Sequence, residues 1–108
     1  MINKLKNILP LIGKTPLKKL NFKEAGLFIK LEYHNYSGSS KDRAAYSIIE
    51  QACKRGEINK NTIVVGSSSG NFAIACAHLC KALGIKFIPV IDPNITAAYE
   101  NLLKILSY

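Results

Sequence analysis

The sequence predicts an α/β fold in which a parallel, wound sheet is built from β-α units. Three short apolar runs rich in strand-forming residues, at 27–32, 62–65 and 86–91, are each followed by apolar residues at helical spacing. Successive units of this kind favour parallel strands joined by right-handed crossovers. We therefore expect residues 1–108 to form a single α/β unit that binds its ligand at the carboxyl ends of the strands.

The first unit consists of a strand at Leu27–Glu32 and a helix that starts near Ser40. Apolar residues recur every three or four positions after Ser40, and Gly56 supplies a helix stop. Ser39 and Asp42 have the spacing of a capping box, so we expect their side chains to cap this helix.

The second unit places a strand at Thr62–Val65 and a helix at Phe72–Leu83. Asn71 or a neighbouring serine is expected to cap this helix, and Gly84 follows its end. The helix is apolar nearly all round, which predicts that it is buried on more than one face.

The third unit begins with a strand at Lys86–Ile91. Pro89 within this strand removes a hydrogen-bond donor and favours an edge position. A turn at 92–94 leads into the last helix. We expect three leucines of that helix to face inward, namely Leu102, Leu103 and Leu106.

The composition excludes several classes of function. Lys and Arg outnumber Asp and Glu by 15 to 7, which gives a net charge of +8, but only two of the basic residues are Arg. Nucleic-acid sites usually interleave Arg with aromatic residues, so we interpret the charge as a lysine-rich solvated surface and predict no nucleic-acid partner. The longest near-apolar stretch, 72–83, is too short to span a bilayer, so no membrane partner is expected. Three cysteines fit a reducing cytosol, which predicts a cytoplasmic location.

Cys76, His78 and Cys80 do not have the spacing of a metal site. On a helix the two cysteines share a face whereas His78 points almost oppositely, so we predict structural cysteines and no bound metal. His34 lies in the loop before Lys41, from which it could approach the site, and is interpreted as a surface histidine.

The loop Gly66–Asn71 combines hydroxyl side chains with glycines immediately before a helix. Unpaired backbone amides and the helix dipole attract an anion there, so a carboxylate or a phosphate is the expected guest. The spacings of a Walker loop and of a dinucleotide fingerprint are absent. A serine-rich helix cap without a ligand is the alternative.

Lys41 occupies the first turn of a predicted helix, where a cation faces the positive end of the helix dipole. That position costs roughly a few tenths of a kcal/mol. The same field disfavours the ammonium form, and an amine that loses its proton readily is what bond formation with a carbonyl cofactor requires. The alternative is a lysine that points to water and pairs with Asp42.

The two loops together resemble the amino-terminal motifs of the cysteine synthase family. The matching segments are Ser37–Arg43 and Ser68–Asn71, supported by Ile12–Leu17, Leu31–Glu32 and Pro89–Val90. This family comprises fold type II enzymes that use pyridoxal 5'-phosphate. The resemblance implies the three-layer αβα fold of the tryptophan synthase β-like enzymes, of which this chain would be the amino-terminal part.

The resemblance assigns a role to each candidate site residue. Lys41 would bond covalently to the cofactor and later act as the base and acid at the α-carbon of a small amino-acid substrate. Asn71 would donate a hydrogen bond to the ring oxygen of the cofactor. Ser68, Ser69 and Asn71 would hold the substrate α-carboxylate, in agreement with the anion site inferred from the helix terminus.

The family replaces the β-substituent of a serine derivative by a nucleophile. The segments 67–72, 87–95 and 99–100 look most like the branch that joins O-phosphoserine and glutamate into N-(2-amino-2-carboxyethyl)-L-glutamate. That branch supplies 2,3-diaminopropionate for siderophores and peptide antibiotics. Addition of sulfide to O-acetylserine, as in cysteine synthase, is the near alternative.

The resemblance also implies parts that these residues lack. The glycine-rich phosphate cradle and the hydroxyl group facing the pyridine nitrogen would lie beyond Tyr108, so we expect a truncated chain. A homodimer is implied for the full-length family form. A non-catalytic binding or oligomerisation module is the alternative from another class, and a small anion-binding domain is a third.

Overall fold

Four helices and four strands account for most of residues 1–68 and 70–107, which are the residues that the computed structural model describes. The helices are α1 (Ile2–Ile8), α2 (Lys41–Lys54), α3 (Asn71–Leu83) and α4 (Ala97–Leu106). The strands are β1 (Leu17–Phe22), β2 (Ala25–Lys30), β3 (Ile63–Ser67) and β4 (Lys86–Val90). Short 3-10 turns lie at Leu9–Leu11 and Glu32–His34. The expected α/β class is confirmed.

Helix α3 is the centre of the core. Apolar side chains cover nearly its whole circumference, and it packs against α1, α2, α4 and the β3–β4 pair, so burial on more than one face is confirmed. Its buried residues are Ala73, Ile74, Ala75, Cys76, Ala77, Leu79, Cys80 and Leu83. Neither α3 nor any other helix in the described ranges is long and apolar enough to cross a lipid bilayer.

Strands β3 and β4 form a parallel pair, with Ile63 opposite Lys86 at one end of the register. Helix α3 connects the two strands and packs on one face of the pair, where Phe87 is only 2% exposed. A Cβ atom at Gly66 would come within 3.2 Å of the Phe87 ring. The glycine in β3 therefore lets the aromatic ring approach the strand closely.

The opposite face of the β3–β4 pair is apolar and exposed. Its side chains are between 38% and 62% exposed and belong to Ile63, Val65, Ile88 and Val90. Among the described strands β4 pairs only with β3, so Pro89 lies in an edge strand as predicted. Helices from the described part of the chain thus cover one face of this sheet and leave the other open to solvent.

The strand expected at 27–32 does not join the parallel sheet, and that part of the prediction is wrong. It forms β2, which pairs antiparallel with β1 and places Leu17 opposite Lys30. The turn between them contains Lys23 at a φ of 48°. A neighbouring strand two residues away needs little loop closure, so local pairing is favoured over a crossover. The hairpin contacts the other described elements only sparsely.

The start of α2 differs from the expected capping box. Ser40 is the cap residue, and its side chain makes no capping hydrogen bond. Ser39 Oγ accepts a hydrogen bond from the Lys41 N–H at 3.2 Å, whereas the Asp42 carboxylate accepts one from the Ser37 N–H at 2.7 Å. The capping-box prediction is wrong because the aspartate turns back to the preceding loop.

The ends of α3 match the sequence expectation at one end only. Asn71 is the first helical residue rather than the cap, because Gly70 occupies the cap position in an extended conformation. Gly84 ends the helix as predicted, with a φ of 72° in the left-handed region that favours glycine.

Helix α4 begins at Ala97, after the turn predicted at 92–94. Leu103 and Leu106 are buried, but Leu102 is 36% exposed, so the expectation that it faces inward is wrong. Consecutive helical residues point about 100° apart, and the contact of α4 with α3 is too narrow to bury both Leu102 and Leu103.

Candidate active site

Lys41 is the first residue of α2, as the sequence predicts, and it is exposed. Its neighbour Asp42 is fully buried, and the carboxylate of Asp42 accepts the Ser37 N–H at 2.7 Å. The described ion pairs include none between Lys41 and Asp42, so that half of the alternative is wrong. The other half, a side chain that points to water, agrees with the exposure of Lys41.

The loop before Lys41 is held by the carboxylate of Glu32. Arg43, in the first turn of α2, donates from Nε to Oε2 at 3.0 Å and from Nη2 to Oε1 at 2.9 Å. Thr15 Oγ1 donates to Oε1 at 2.5 Å, and Asn35 Nδ2 donates to Oε2 at 2.9 Å. These hydrogen bonds, led by those from Arg43, lower the pKa of Glu32 from its ordinary value of 4.5 to about 2.

The segment 12–17 packs against the same network. The Gly13 N–H donates to Asn35 Oδ1 at 2.7 Å, and the φ of Gly13 is 75°, in the region that favours glycine. A Cβ atom at this position would lie 2.9 Å from Arg43 Nη1. Glycine is therefore needed here both for its backbone conformation and for the close approach of the guanidinium group.

The second predicted loop lies at the carboxyl end of β3. The Ser68 N–H donates to the Val90 carbonyl at 3.1 Å, and Ser68 Oγ accepts from the Gly70 N–H at 3.4 Å. Asn71 follows as the first residue of α3, with an exposed side chain. Ser69, also predicted to bind the substrate carboxylate, lies outside the described residues. Ser68 and Asn71 thus both lie at the amino-terminal end of α3, where an anion is favoured.

The two loops meet at a cavity of about 250 Å³. Its lining residues are Ser37, Asn71, Ile74, Ala98, Tyr99 and Leu102. The Tyr99 hydroxyl donates to Asn71 Oδ1 at 2.9 Å, and the described residues provide no partner for Asn71 Nδ2. Ser37 Oγ is buried and also has no hydrogen-bond partner in the described part of the chain. The cavity therefore offers the amide nitrogen of the exposed Asn71 to a guest, and the Ser37 hydroxyl lies buried in the cavity wall.

Two features of the site were not predicted. The sequence indicated Glu32 and Tyr99 only as parts of a family resemblance, and neither was assigned a contact in the site. The available signal for Glu32 was an opposite charge on Arg43 at the start of the next helix. For Tyr99 the available signal was its position four residues before Leu103, which places both on one face of the helix. Leu103 is buried, so that face packs on the core.

The cysteines and histidines are not among the residues that line this cavity. Burial raises the pKa of the Cys76 thiol to about 11 and that of the Cys80 thiol to about 12. His78, between them, is half-buried, which lowers its pKa, and its ring centroid lies 5.7 Å from that of Tyr36. His34 is exposed and lines a separate open depression beside Gly13 and Tyr36. No group of three potential metal ligands is found within residues 1–68 and 70–107.

A model of the family described as pyridoxal-phosphate dependent enzyme matches residues 8–108. The chain belongs to this family. The pyridoxal-phosphate cofactor expected from the two loops is therefore confirmed for the family, and so is the expected fold, the amino-terminal part of the fold type II enzymes.

Several solved structures of enzymes are similar to this chain. A hydrogen sulfide-producing enzyme from Fusobacterium nucleatum has a TM-score of 0.87 and 31% identity, over 98% of this chain and 33% of that chain. Cysteine synthase from Entamoeba histolytica has a TM-score of 0.83 and 30% identity, over 93% and 32%. O-ureido-L-serine synthase has a TM-score of 0.85 and 30% identity, over 92% and 32%. The chain thus spans about a third of the length of the structures it matches.

The residues of this pyridoxal-phosphate family member fit the chemical groups of the cofactor and of an amino-acid substrate. The exposed amine of Lys41 suits the aldehyde carbon of pyridoxal phosphate. The unpaired Asn71 amide nitrogen suits its ring oxygen, which accepts hydrogen bonds. Ser68 at the start of α3 suits a carboxylate.

We expect acid to destabilise the chain through Glu32. The pKa of Glu32 is about 2 in the folded chain against an ordinary value of 4.5, so its ionised form favours the folded state above pH 4.5. That contribution is lost as the pH falls from 4.5 towards 2. The melting temperature, followed by circular dichroism, should fall less steeply across this range in Glu32→Gln than in the unmodified chain.

Glu50→Gln is the matched control, because it removes the surface ion pair with Lys54 and leaves the Glu32 network intact. Its pH profile should keep the slope of the unmodified chain. The interpretation of Glu32 is contradicted if Glu32→Gln also keeps that slope.

Proposed function

We propose that the chain supplies the lysine and the carboxylate-binding loop of a pyridoxal-phosphate-dependent β-replacement site for an O-activated serine. The observation that carries this proposal is the cavity between the lysine loop and α3. There Ser37, four residues before Lys41, and Asn71 both have hydrogen-bonding groups without partners in the described residues. Membership of the pyridoxal-phosphate family supports the choice of cofactor.

Lys41 acts on the cofactor and then on the substrate. When bound, pyridoxal phosphate supplies an electron sink for negative charge at the α-carbon of an amino acid. Lys41 would hold the cofactor at its aldehyde carbon through the amine nitrogen. Once the substrate amino group has replaced it there, the released Lys41 amine would take the proton from the substrate α-carbon and return it. Its exposure at the first position of α2 leaves the amine accessible for these steps.

The loop before α3 orients the cofactor and the substrate. Asn71 donates from its amide nitrogen to the ring oxygen of the cofactor. Ser68, Ser69 and Asn71 bind the substrate α-carboxylate, aided by the backbone amides and the dipole at the start of α3. A carboxylate fixed there holds the α-proton in one direction, so a single lysine serves as its acceptor.

For the substrates we propose O-phosphoserine and glutamate, which would give N-(2-amino-2-carboxyethyl)-L-glutamate. The segments 87–95 and 99–100 support this branch by their resemblance to it. An O-acetylserine-dependent cystathionine beta-synthase from Helicobacter pylori, 28% identical with a TM-score of 0.79, supports the wider class of reactions on activated serine. Sulfide addition to O-acetylserine is the alternative, and the similarity to cysteine synthase supports it.

Pyridoxal phosphate followed by borohydride should label Lys41 in the unmodified chain. Peptide mass spectrometry is expected to locate the reduced adduct on this residue in preference to the other lysines, because Lys41 follows the loop that carries the cavity-lining Ser37. Lys41→Ala should abolish the preferred label and the associated visible absorbance.

Lys54→Ala provides a matched control at the last position of the same helix, where the side chain is also exposed. Its labelling at Lys41 should equal that of the unmodified chain. Uniform labelling of surface lysines, with no preference for Lys41, would reject the proposed role.

The spectrum of the cofactor-loaded chain should change on adding O-phosphoserine and return only with the correct nucleophile. Glutamate is expected to restore the starting spectrum, and mass spectrometry should detect the joined amino acid. Restoration by sulfide but not by glutamate would assign the chain to the cysteine synthase alternative. If neither O-phosphoserine nor O-acetylserine changes the spectrum, β-replacement by this chain is contradicted.

A second candidate function is a non-catalytic oligomerisation module, and the exposed apolar sheet faces favour it. On β3 and β4 the open face carries Val65, which is 62% exposed. On the hairpin Leu17 and Phe28 are 64% and 55% exposed. Covering such surfaces with a second copy of the chain would stabilise both, since buried apolar area contributes about 25 cal/mol per Å². The homodimer implied by the family resemblance concerns the full-length family form and stays a separate proposal.

Light scattering at several concentrations tests this module. We expect a mass above that of the 11.9 kDa monomer, and Val65→Glu should return it to the monomer because a charge would be buried at the interface. Ile105→Glu is the matched control, since Ile105 is 69% exposed and belongs to α4 rather than to a strand. A monomeric mass at every concentration is incompatible with the module.

A further inference from the structure

Tyr99 contacts the acceptor end of the Asn71 side chain. Its hydroxyl donates to Asn71 Oδ1 at 2.9 Å, across 28 residues of sequence. Tyr99 is half-buried on α4, and the buried Leu103 and Leu106 fix that helix on the core. The hydrogen bond therefore joins a side chain on an anchored helix to an exposed residue at the start of α3.

This hydrogen bond distinguishes the two ends of the amide. A side-chain amide has a donor end and an acceptor end, and rotation about its last bond exchanges them. Water can pair with either end, so an exposed asparagine alone does not select one orientation. A phenol donates better than it accepts, because its lone pairs conjugate with the ring. The Tyr99 hydroxyl thus selects the orientation in which Oδ1 is occupied and Nδ2 remains available.

The surrounding cavity indicates what the oriented amide of Asn71 can bind. Tyr99 and Asn71 line the cavity together with Ser37, whose buried hydroxyl has no partner in the described residues. In its ionised form the phenolic ring oxygen of pyridoxal phosphate has no proton to donate, so it pairs with Nδ2 and not with Oδ1. An asparagine held in the opposite orientation would repel that oxygen.

We propose that Tyr99 is a positioning residue that orients the Asn71 amide so that its nitrogen faces the ring oxygen of pyridoxal phosphate. The identity of the guest rests on the proposed function, whereas the orientation of the amide does not. Tyr99 needs no contact with the cofactor in this role and acts only through Asn71.

Nuclear magnetic resonance of the chain without cofactor tests the orientation. In Tyr99→Phe, which keeps the ring, the side-chain amide signals of Asn71 should shift towards those of a solvent-exposed asparagine. Backbone signals of Leu103 and Leu106 should stay in place, which verifies that α4 remains docked. In the unmodified chain the Tyr99 hydroxyl proton should be protected from exchange and close to Asn71.

Tyr46→Phe is the matched control for this measurement. It removes a buried hydroxyl that has no partner in the described residues and that lies outside the site. The Asn71 amide signals should be unchanged in this variant. Unchanged Asn71 signals in Tyr99→Phe, or an unprotected Tyr99 hydroxyl in the unmodified chain, would overturn the proposal.

Titration with pyridoxal phosphate tests the consequence for binding. Tyr99→Phe should weaken binding about three- to tenfold, the effect of one neutral hydrogen bond. Asn71→Ala should weaken it at least as much, and the double variant should bind like Asn71→Ala alone, because Tyr99 acts through Asn71. Additive losses in the double variant would overturn the positioning role.

The two measurements separate failure of this inference from failure of the proposed function. If the unmodified chain fails to bind pyridoxal phosphate, the proposed function is rejected together with the identity of the guest. The resonance measurement then still decides whether Tyr99 orients Asn71. If binding occurs and only the Tyr99 effect is missing, the proposed function stands and the positioning role is rejected.

Discussion

The burial of α3 is the constraint on which the other elements depend. Its surface is apolar in nearly every direction, so it must be covered by a sheet on one side and by helices on the others. Covering it brings the loop before α2 and the first turn of α4 to the same end of the helix. The candidate site therefore forms as a consequence of hydrophobic packing, at the helix end where backbone amides remain unpaired.

Hydrophobic packing alone does not fix the loop that carries Lys41, and polar contacts perform that task. Glu32 accepts hydrogen bonds from Thr15, Asn35 and Arg43, which belong to three separate segments of the chain. Charged hydrogen bonds of this kind have directional geometry, so they define a loop conformation more narrowly than apolar contact does. The chain thus uses apolar contact to choose which elements meet and a carboxylate to set their final alignment.

The sequence predicted the parts of the fold that depend on local patterns. The start of α2 at Lys41, the end of α3 at Gly84 and the edge position of Pro89 all follow from local residue chemistry. The partner of β2 was mispredicted because strand pairing is decided by competition between segments, which periodicity does not measure. The same holds for the site, where the contact of Tyr99 with Asn71 spans 28 residues and depends on how α4 docks.

The buried cysteines affect how the chain would handle an aldehyde. Aldehydes react with thiolates as well as with amines, so sulfur and nitrogen compete for the same carbon. Burial raises the pKa of Cys53, Cys76 and Cys80, and all three therefore remain protonated and poorly nucleophilic at neutral pH. The low thiolate content of these cysteines therefore favours reaction of an aldehyde with nitrogen nucleophiles over reaction with sulfur.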